Sequence, residues 1–317
     1  MSTTYLITGS AGFIGSNLIR SILYNQKDCK IISVDSLERL DSRNNLYINK
    51  AHEFQVGNIC DRDFIVRMTH IYQPDIIINL AKPNLYREDL VEARTKGVFN
   101  LIEASGFQKT NPLKHFIQVS CADVYGEEPR TRPITENECV DPQTLKASLN
   151  VASENIVRTF NKDLPYTILR LPQVFGMRQA YGFVPAVIYD SANGHSISLI
   201  EKGTKVRELL YIEDLYYAIT TILTSDHSKQ ETYNVSCGND FTDAELVALI
   251  ASEATDSVIT LQNEQRERDD IFDYGFYGSY VKLNTDKIRS LGWKPQKLRE
   301  KLKFTVGWYK NNPWIFK

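Results

Sequence analysis

TTYLITGSAGFIGSNLIRSIL, residues 3–23, passes from a short β-type run into a helical one across three glycines. The strand ends at the first glycine and helical periodicity begins just beyond it, so Gly9, Gly12 and Gly15 fall in a strand-to-helix turn. Each glycine then has a distinct use: Gly9 permits the tight turn, Gly12 lets backbone approach a pyrophosphate, and Gly15 lets the helix pack closely on the sheet. Such a turn is built for a nucleotide.

The following strand, KIISVDS, ends in Asp35, about twenty residues past the glycines. An acidic side chain there binds both ribose hydroxyls of an adenosine and repels a 2′-phosphate, which favours NAD over NADP. Further strand-like runs follow in HEFQVGNI, PDIIINLA, LKHFIQVS and LPYTILRLPQVFG. Between them lie helical candidates in DRDFIVRMTHIY, EARTKGVFNLIEASGF and LKASLNVASENIVRTFNK. That alternation predicts an α/β fold, a Rossmann-type doubly wound parallel sheet, with a smaller C-terminal substrate-binding lobe. The expected division is an NAD-binding domain over residues 1–165, joined by returning segments from the C-terminal half, and a lobe over 166–317. The active site belongs beyond the carboxyl ends of the strands.

At 317 residues the chain is long enough for a sizeable core. Its 37 basic and 39 acidic residues leave a net charge of −2, without the basic footprint of a nucleic-acid binder. No stretch approaches the roughly 20 apolar residues of a membrane span, so the expected location is the cytoplasm. Cys29, Cys60, Cys121, Cys139 and Cys237 lack the paired spacing of a zinc site or disulfide framework and read as reduced thiols. No metal is expected.

GSAGFIGSN, VDS, NLA, VSCADVYG, ILRLPQVFG, RELLYIEDL, YNVSCG and LGWKP occur in the order seen in extended short-chain dehydrogenases. The chain resembles the NAD-dependent nucleotide-sugar epimerase and dehydratase branch of that family over nearly its whole length. The resemblance implies an NAD site formed by Gly9, Gly12, Phe13, Ile14, Gly15, Asp35, Asn58, Ile59, Leu80, Ala81, Lys82 and Asn150. It also implies a nucleotide-diphosphate sugar as substrate and a homodimer through helices around 92–106 and 145–161.

Several positions depart from the family pattern. The Ser or Thr expected four residues before the tyrosine of VYG is Cys121, a larger and weaker hydrogen-bonding group whose thiolate could instead act as a base. Aligning the glutamate of the usual Tyr-x-x-x-Lys helix on Glu154 puts Lys146 at the tyrosine position and Asn150 at the lysine position. No tyrosine lies between Tyr125 and Tyr166, so no shift of register restores the motif. Lys146 could accept a proton only as the neutral amine, and burial and oxidised nicotinamide would both lower its pKa.

Asp123 stands where dehydratases of the family carry a glutamate, Lys82 follows NLA, and Arg94 replaces a common asparagine. A hydrated surface charge is the alternative for each. Ala122 lacks the central acid of the dehydratase triplet, which disfavours a standard 4,6-dehydratase. In the substrate half, Arg207, Arg266 and Asp269 match residues that bind the nucleotide diphosphate and ribose, and Gln173 takes the place of an asparagine. Guanidinium groups suit diphosphate because they make permanent, bidentate contacts. DDIFDYGFYGSY, residues 269–280, reads either as a lid or as an ordinary surface loop.

Two functions remain open from sequence. One is oxidation at sugar C4 by an epimerase or 4-dehydrogenase with Cys121, Asp123 and Lys146 as the acid–base set. The other is a catalytically inactive, NAD- and sugar-nucleotide-binding or regulatory protein.

Overall fold

Seven parallel strands form the central sheet of the computed structural model, in the order β3-β2-β1-β4-β5-β6-β10. The structure describes residues 2–38, 40–82, 87–108, 110–126, 132–199, 203–204, 206–238, 241–254, 261–262 and 281–316. In chain order β1 is Thr3–Thr8, β2 Cys29–Asp35, β3 His52–Val56, β4 Ile76–Asn79, β5 His115–Cys121 and β6 Tyr166–Leu171. Three short strands follow, β7 Gln173–Phe175, β8 Ile197–Ser198 and β9 Leu209–Tyr211, and then β10 Glu231–Asn234 completes the sheet. β7 pairs with β9 outside it.

β1 pairs with β2 on one side and with β4 on the other, so strand order reverses there and opens a crevice at their carboxyl ends. Helices cover both faces: α1 Phe13–Asn25, α2 Arg62–Tyr72, α3 Arg87–Glu92, α4 Val98–Gly106 and α5 Leu145–Thr159 come with the first six strands. α6 Phe183–Asn193, α7 Ile212–Leu223, α8 Asp243–Ala254, α9 Asp286–Ser290 and α10 Leu298–Asn311 follow. The sequence-read strands and helices are all present. The helix expected around EARTKGVFNLIEASGF is a composite, because a π turn over Ala93–Gly97 joins α3 to α4. Such turns swell a helix locally and re-aim a side chain.

Strands buried on both faces explain the unbroken apolar runs. Ile31, Ile76 and Ile78 pack with α1 and α7, whereas Ile32 and Ile77 pack with α2 and α4 on the opposite face. Each such fully buried side chain contributes about 1.5–3 kcal/mol before entropy is charged against it. A polar row crosses the sheet at the crevice: Thr8 Oγ1 donates to Asn79 Oδ1 at 2.7 Å, and Asn79 Nδ2 donates to Gln118 Oε1 at 2.9 Å. Being satisfied, it ties the ends of β1 and β4 to the middle of β5 at low cost.

The LGWKP segment closes against α7, where Trp293 Nε1 donates to the Asp214 carbonyl at 3.0 Å. No helix among the described residues is long and apolar enough to cross a membrane.

Candidate active site

The crevice at the switch of strand order begins with Gly9. Its φ is +64°, and a Cβ there would lie 2.6 Å from the Leu80 carbonyl oxygen. A Cβ at Gly15 would lie 2.4 Å from the Gly9 oxygen, so the start of α1 sits directly on the turn. Gly12 caps α1 with no side-chain hydrogen bond, which leaves helix N–H groups for an anion. Ser10 Oγ is buried with no partner among the described residues. These features fit the diphosphate of a dinucleotide; Ser10 was missed from sequence, although its position in the glycine turn was the available signal.

Asp35 is braced across this turn, accepting from Ala11 N–H through Oδ2 and from Leu37 N–H through Oδ1, both at 2.9 Å. It lines an open cleft together with Gly9, Asn58, Ile59, Ala81 and Lys82. Phe13, Ile14 and Leu80 pack beside it on the core. Glu38, Asp89 and Glu92 also line the cleft and were not singled out from sequence. Four carboxylates in one cleft strengthen the electrostatic case against a 2′-phosphate.

Beyond it, β5 delivers Cys121 and a 3-10 turn delivers Asp123, facing one side of α5. Lys146 and Asn150 are four residues apart on α5 and so share a face. Lys146 Nζ donates to Asp123 Oδ2 at 2.8 Å, and Asn150 Nδ2 donates to Cys121 Sγ at 2.8 Å. Asn150 Oδ1 is buried without a partner among the described residues. The π turn directs Arg94 inward, where it is 7% exposed and donates to the Val119 carbonyl at 3.4 Å. Cys121, Asp123, Lys146, Asn150 and Arg94 therefore meet at one place, and Lys82 lies within their electrostatic reach.

The charges correct two chemical expectations. Burial pushes the Cys121 thiol up, so at neutral pH it is a protonated thiol and no thiolate base. Burial alone would lower the Lys146 ammonium, yet Asp123 overcomes it and holds Lys146 above the ordinary lysine range, so it remains charged rather than becoming a neutral amine. Lys82 behaves in the opposite way. The Lys146 charge first, then burial and Arg94, lower it to about 7.

Behind this cluster, α5 is fixed by a buried ionic network that sequence reading used only as a register mark. Arg170 Nε and Nη2 donate to Glu154 Oε1 and Oε2 at 3.1 and 2.7 Å. Arg158 Nη2 donates to Glu154 Oε2 at 2.9 Å, and Ser120 Oγ to Oε1 at 2.5 Å. Burial would raise the Glu154 carboxyl, but Arg170 holds it below the usual carboxylate range. Arginine inside the apolar run TILRL was the overlooked signal, since a buried charge requires a partner.

On the substrate side, Arg207 is fully buried and pairs with both carboxylate oxygens of Asp243, each at 2.8 Å. Its Nη1 donates to Gln173 Oε1 at 3.1 Å, which orients the Gln173 amide. Arg266, Asp269 and the 269–280 segment lie outside the described residues. Among the described residues no group of acidic, histidine and cysteine side chains could hold a metal ion.

A parallel sheet with its strand order reversing over a glycine turn, and a carboxylate at the end of the neighbouring strand, defines a dinucleotide-binding α/β protein of the short-chain dehydrogenase type. The chain belongs to the NAD dependent epimerase/dehydratase family, whose profile matches residues 5–236. Its cofactor is NAD. It is 27% identical to dTDP-glucose 4,6-dehydratase 1 of Escherichia coli K12, across 98% of this chain and 94% of that one. Among solved structures, dTDP-glucose 4,6-dehydratase of Bacillus anthracis in complex with NAD superposes with a TM-score of 0.84 at 24% identity, covering 99% of this chain and 98% of that one. UDP-glucose 4-epimerase of Thermotoga maritima with UDP-glucose superposes at 0.82 and 23% identity, covering 98% and 100%.

Proposed function

We propose that the protein oxidises a nucleotide-diphosphate sugar at C4, in an epimerase or 4-dehydrogenase type of reaction. The observation that carries this reading is the Lys146–Asp123 contact of 2.8 Å, beside Cys121 and Asn150, at the positions where the family holds its acid–base residues. A dehydratase and an epimerase are among the relatives, which supports a nucleotide sugar without choosing the net reaction. Ala122 in place of a central acid still argues against 4,6-dehydration.

In this reading the glycine turn and the N-terminus of α1 hold the cofactor's diphosphate, and Asp35 holds the adenosine ribose. The unpartnered Asn150 Oδ1 accepts from the other ribose. NAD supplies the hydride acceptor. Asp123 receives the sugar hydroxyl proton, Lys146 stabilises the oxygen from which it leaves, and the Cys121 thiol donates a weak hydrogen bond to the same region. Gln173, with its oxygen occupied by Arg207, offers its Nε2 to the substrate diphosphate. The segments after residue 166 that lie outside the sheet serve as the sugar-nucleotide lobe, with Arg266 and Asp269 as further contacts. The α4 and α5 surfaces serve as the homodimer contact, and light scattering at micromolar concentration would reveal a monomer if this were wrong.

The test uses NAD-loaded protein with UDP, dTDP, GDP and CDP sugars, following reduced nicotinamide and exchange of the carbon-bound hydrogen at C4. Either signal supports the reading. Tight binding with neither signal over hours assigns the protein to a non-catalytic, ligand-sensing role, which the loss of Tyr-x-x-x-Lys would then explain.

A further inference from the structure

Asp243, Arg207 and Gln173 form a continuous chain of contacts on the substrate side. Arg207 gives Nε and Nη2 to the two carboxylate oxygens of Asp243, each at 2.8 Å, and Nη1 to Gln173 Oε1 at 3.1 Å. All three guanidinium nitrogens therefore donate within the protein. The guanidinium carbon also lies 4.4 Å from the centre of the Phe183 ring, so the first residue of α6 helps to set the position of the group.

The backbone holds each link. Gln173 lies opposite Leu209 in the pairing of β7 with β9, and Arg207 precedes Leu209 by two positions. Arg207 N–H donates to the Phe241 carbonyl at 3.3 Å. Thr242 and Glu245 close a reciprocal cap on α8, with Thr242 N–H on Glu245 Oε2 at 2.8 Å and Glu245 N–H on Thr242 Oγ1 at 3.2 Å. Asp243 thus opens a fixed helix end, and it is buried against Arg207.

Such a chain changes what Arg207 can offer an anion. The resemblance implies that Arg207 itself grips the diphosphate, but a phosphate arriving from the Gln173 side meets an ion pair of zero net charge. Breaking that pair to reach the phosphate would leave the Asp243 carboxylate buried and uncompensated, which is costly. Gln173 is only half-buried, and its Nε2 makes no hydrogen bond among the described residues. That nitrogen faces the start of α6: a Cβ on Gly182, the cap of the helix, would lie 3.4 Å from it. An amide whose oxygen is held by a cation cannot turn over, so the donor end is the one presented.

Resting on the nucleotide-sugar reading above, we propose that Asp243 is a positioning residue for the substrate diphosphate. It commits Arg207 to the protein, and Arg207 fixes the Gln173 amide so that a neutral donor, Gln173 Nε2, meets the phosphate. Asp243 occupies a different edge of the guanidinium from Gln173 and touches no substrate, yet its loss must be felt at the phosphate.

The experiment is calorimetric titration of the full, NAD-saturated chain with UDP-glucose, dTDP-glucose, GDP-mannose and CDP-glucose. The compound that binds tightest is carried through a double-mutant cycle of Gln173→Ala, Asp243→Asn and both changes together. Each single change should weaken binding about fivefold or more, the worth of one hydrogen bond to a charged group. Because Asp243 acts through Gln173, the double variant should stay within about twofold of the weaker single one, where independent roles would multiply. A double variant weaker than that, a smaller loss in either single variant, or tighter binding by Asp243→Asn overturns the inference while nucleotide-sugar binding stands. If Asp243→Asn fails to fold, a crystal structure of the parent chain with the same compound decides. The expected arrangement has Gln173 Nε2 on a phosphate oxygen and the Asp243–Arg207 pair intact. A phosphate oxygen bonded to Arg207, or none at Gln173 Nε2, overturns it. Failure of all four compounds to bind the parent chain overturns the nucleotide-sugar reading itself and this inference with it.

Discussion

Asn150 donates its amide hydrogen to the sulfur of Cys121 across 2.8 Å, joining α5 to the last residue of β5. The thiol is thereby an acceptor on one side and keeps its own hydrogen for the crevice. Cys121→Ser preserves both functions in a smaller group. It should keep single-turnover reduction of NAD within about tenfold of the parent, because a neutral hydrogen-bonding group is exchanged for another. A loss of 10²-fold or more, within the range of a general acid–base group, would mean that the sulfur itself handles the proton.

Asp123 has the opposite standing: it holds Lys146 charged, and in the proposed reaction it is the carboxylate that would receive the proton. Asp123→Asn should lower single-turnover hydride transfer by roughly 10²- to 10⁴-fold. NAD affinity, which the proposed reading sets at the glycine turn and Asp35, should stay within a few-fold. Unchanged hydride transfer in this variant would remove the Asp123–Lys146 pair from the mechanism.

The Glu154–Arg170 pair is a stability element. Glu154→Gln leaves the Arg170 guanidinium buried beside a neutral amide, and loss of one partner of a buried pair costs about 3–5 kcal/mol. Denaturant unfolding monitored by tryptophan fluorescence should show that loss as a lower midpoint. A change below about 1 kcal/mol would show that the Glu154 charge is not needed to hold Arg170 in place.

His115 should make the fold acid-sensitive. Its Nε2 is 2.7 Å from Thr167 Oγ1, and that hydroxyl donates to the Ser228 carbonyl, so the ring must be the donor and Nε2 carries the hydrogen. Burial lowers the imidazole to about 4 from its ordinary 6.5. Between these values the unfolded chain binds the proton and the folded chain does not, so stability is full above about pH 6.5 and falls as pH drops toward 4. The loss at the bottom of that window is about 3 kcal/mol. His115→Gln should flatten this part of a stability-versus-pH curve, and an unchanged slope would overturn the assignment.

The parallel sheet was legible because strands buried on both faces must be apolar runs, and IIIN, HFIQVS and YTILRL are such runs separated by helical periodicity. Glu154 was a sound register mark because helical spacing alone carries it to Asn150 and Lys146. The meeting of Lys146 with Asp123 was beyond that logic: these residues are 23 positions apart, and nothing in either identity specifies the pairing. Protonation was equally hidden. A thiol or ammonium takes its charge state from burial and neighbours, which exist only after folding, so Cys121 read as a possible base and Lys146 as a possible neutral amine.

Asn234 gives the molecule an order of completion. Its Oδ1 accepts from Tyr125 at 2.8 Å, its N–H donates to Glu136 at 2.8 Å, and its Nδ2 donates to the Ile134 carbonyl at 2.9 Å. The turn that presents Asp123 is thus tied down by a residue made more than a hundred positions later. During synthesis, which proceeds from the amino end, the dinucleotide crevice of β1, β2 and β4 can assemble from the first hundred residues or so. The reacting centre gains its Asn234 contacts only when the ribosome has released β10. A nascent chain can therefore gain its cofactor crevice before its acid–base residues are locked in place, and early cofactor capture would favour the compact state in the interval.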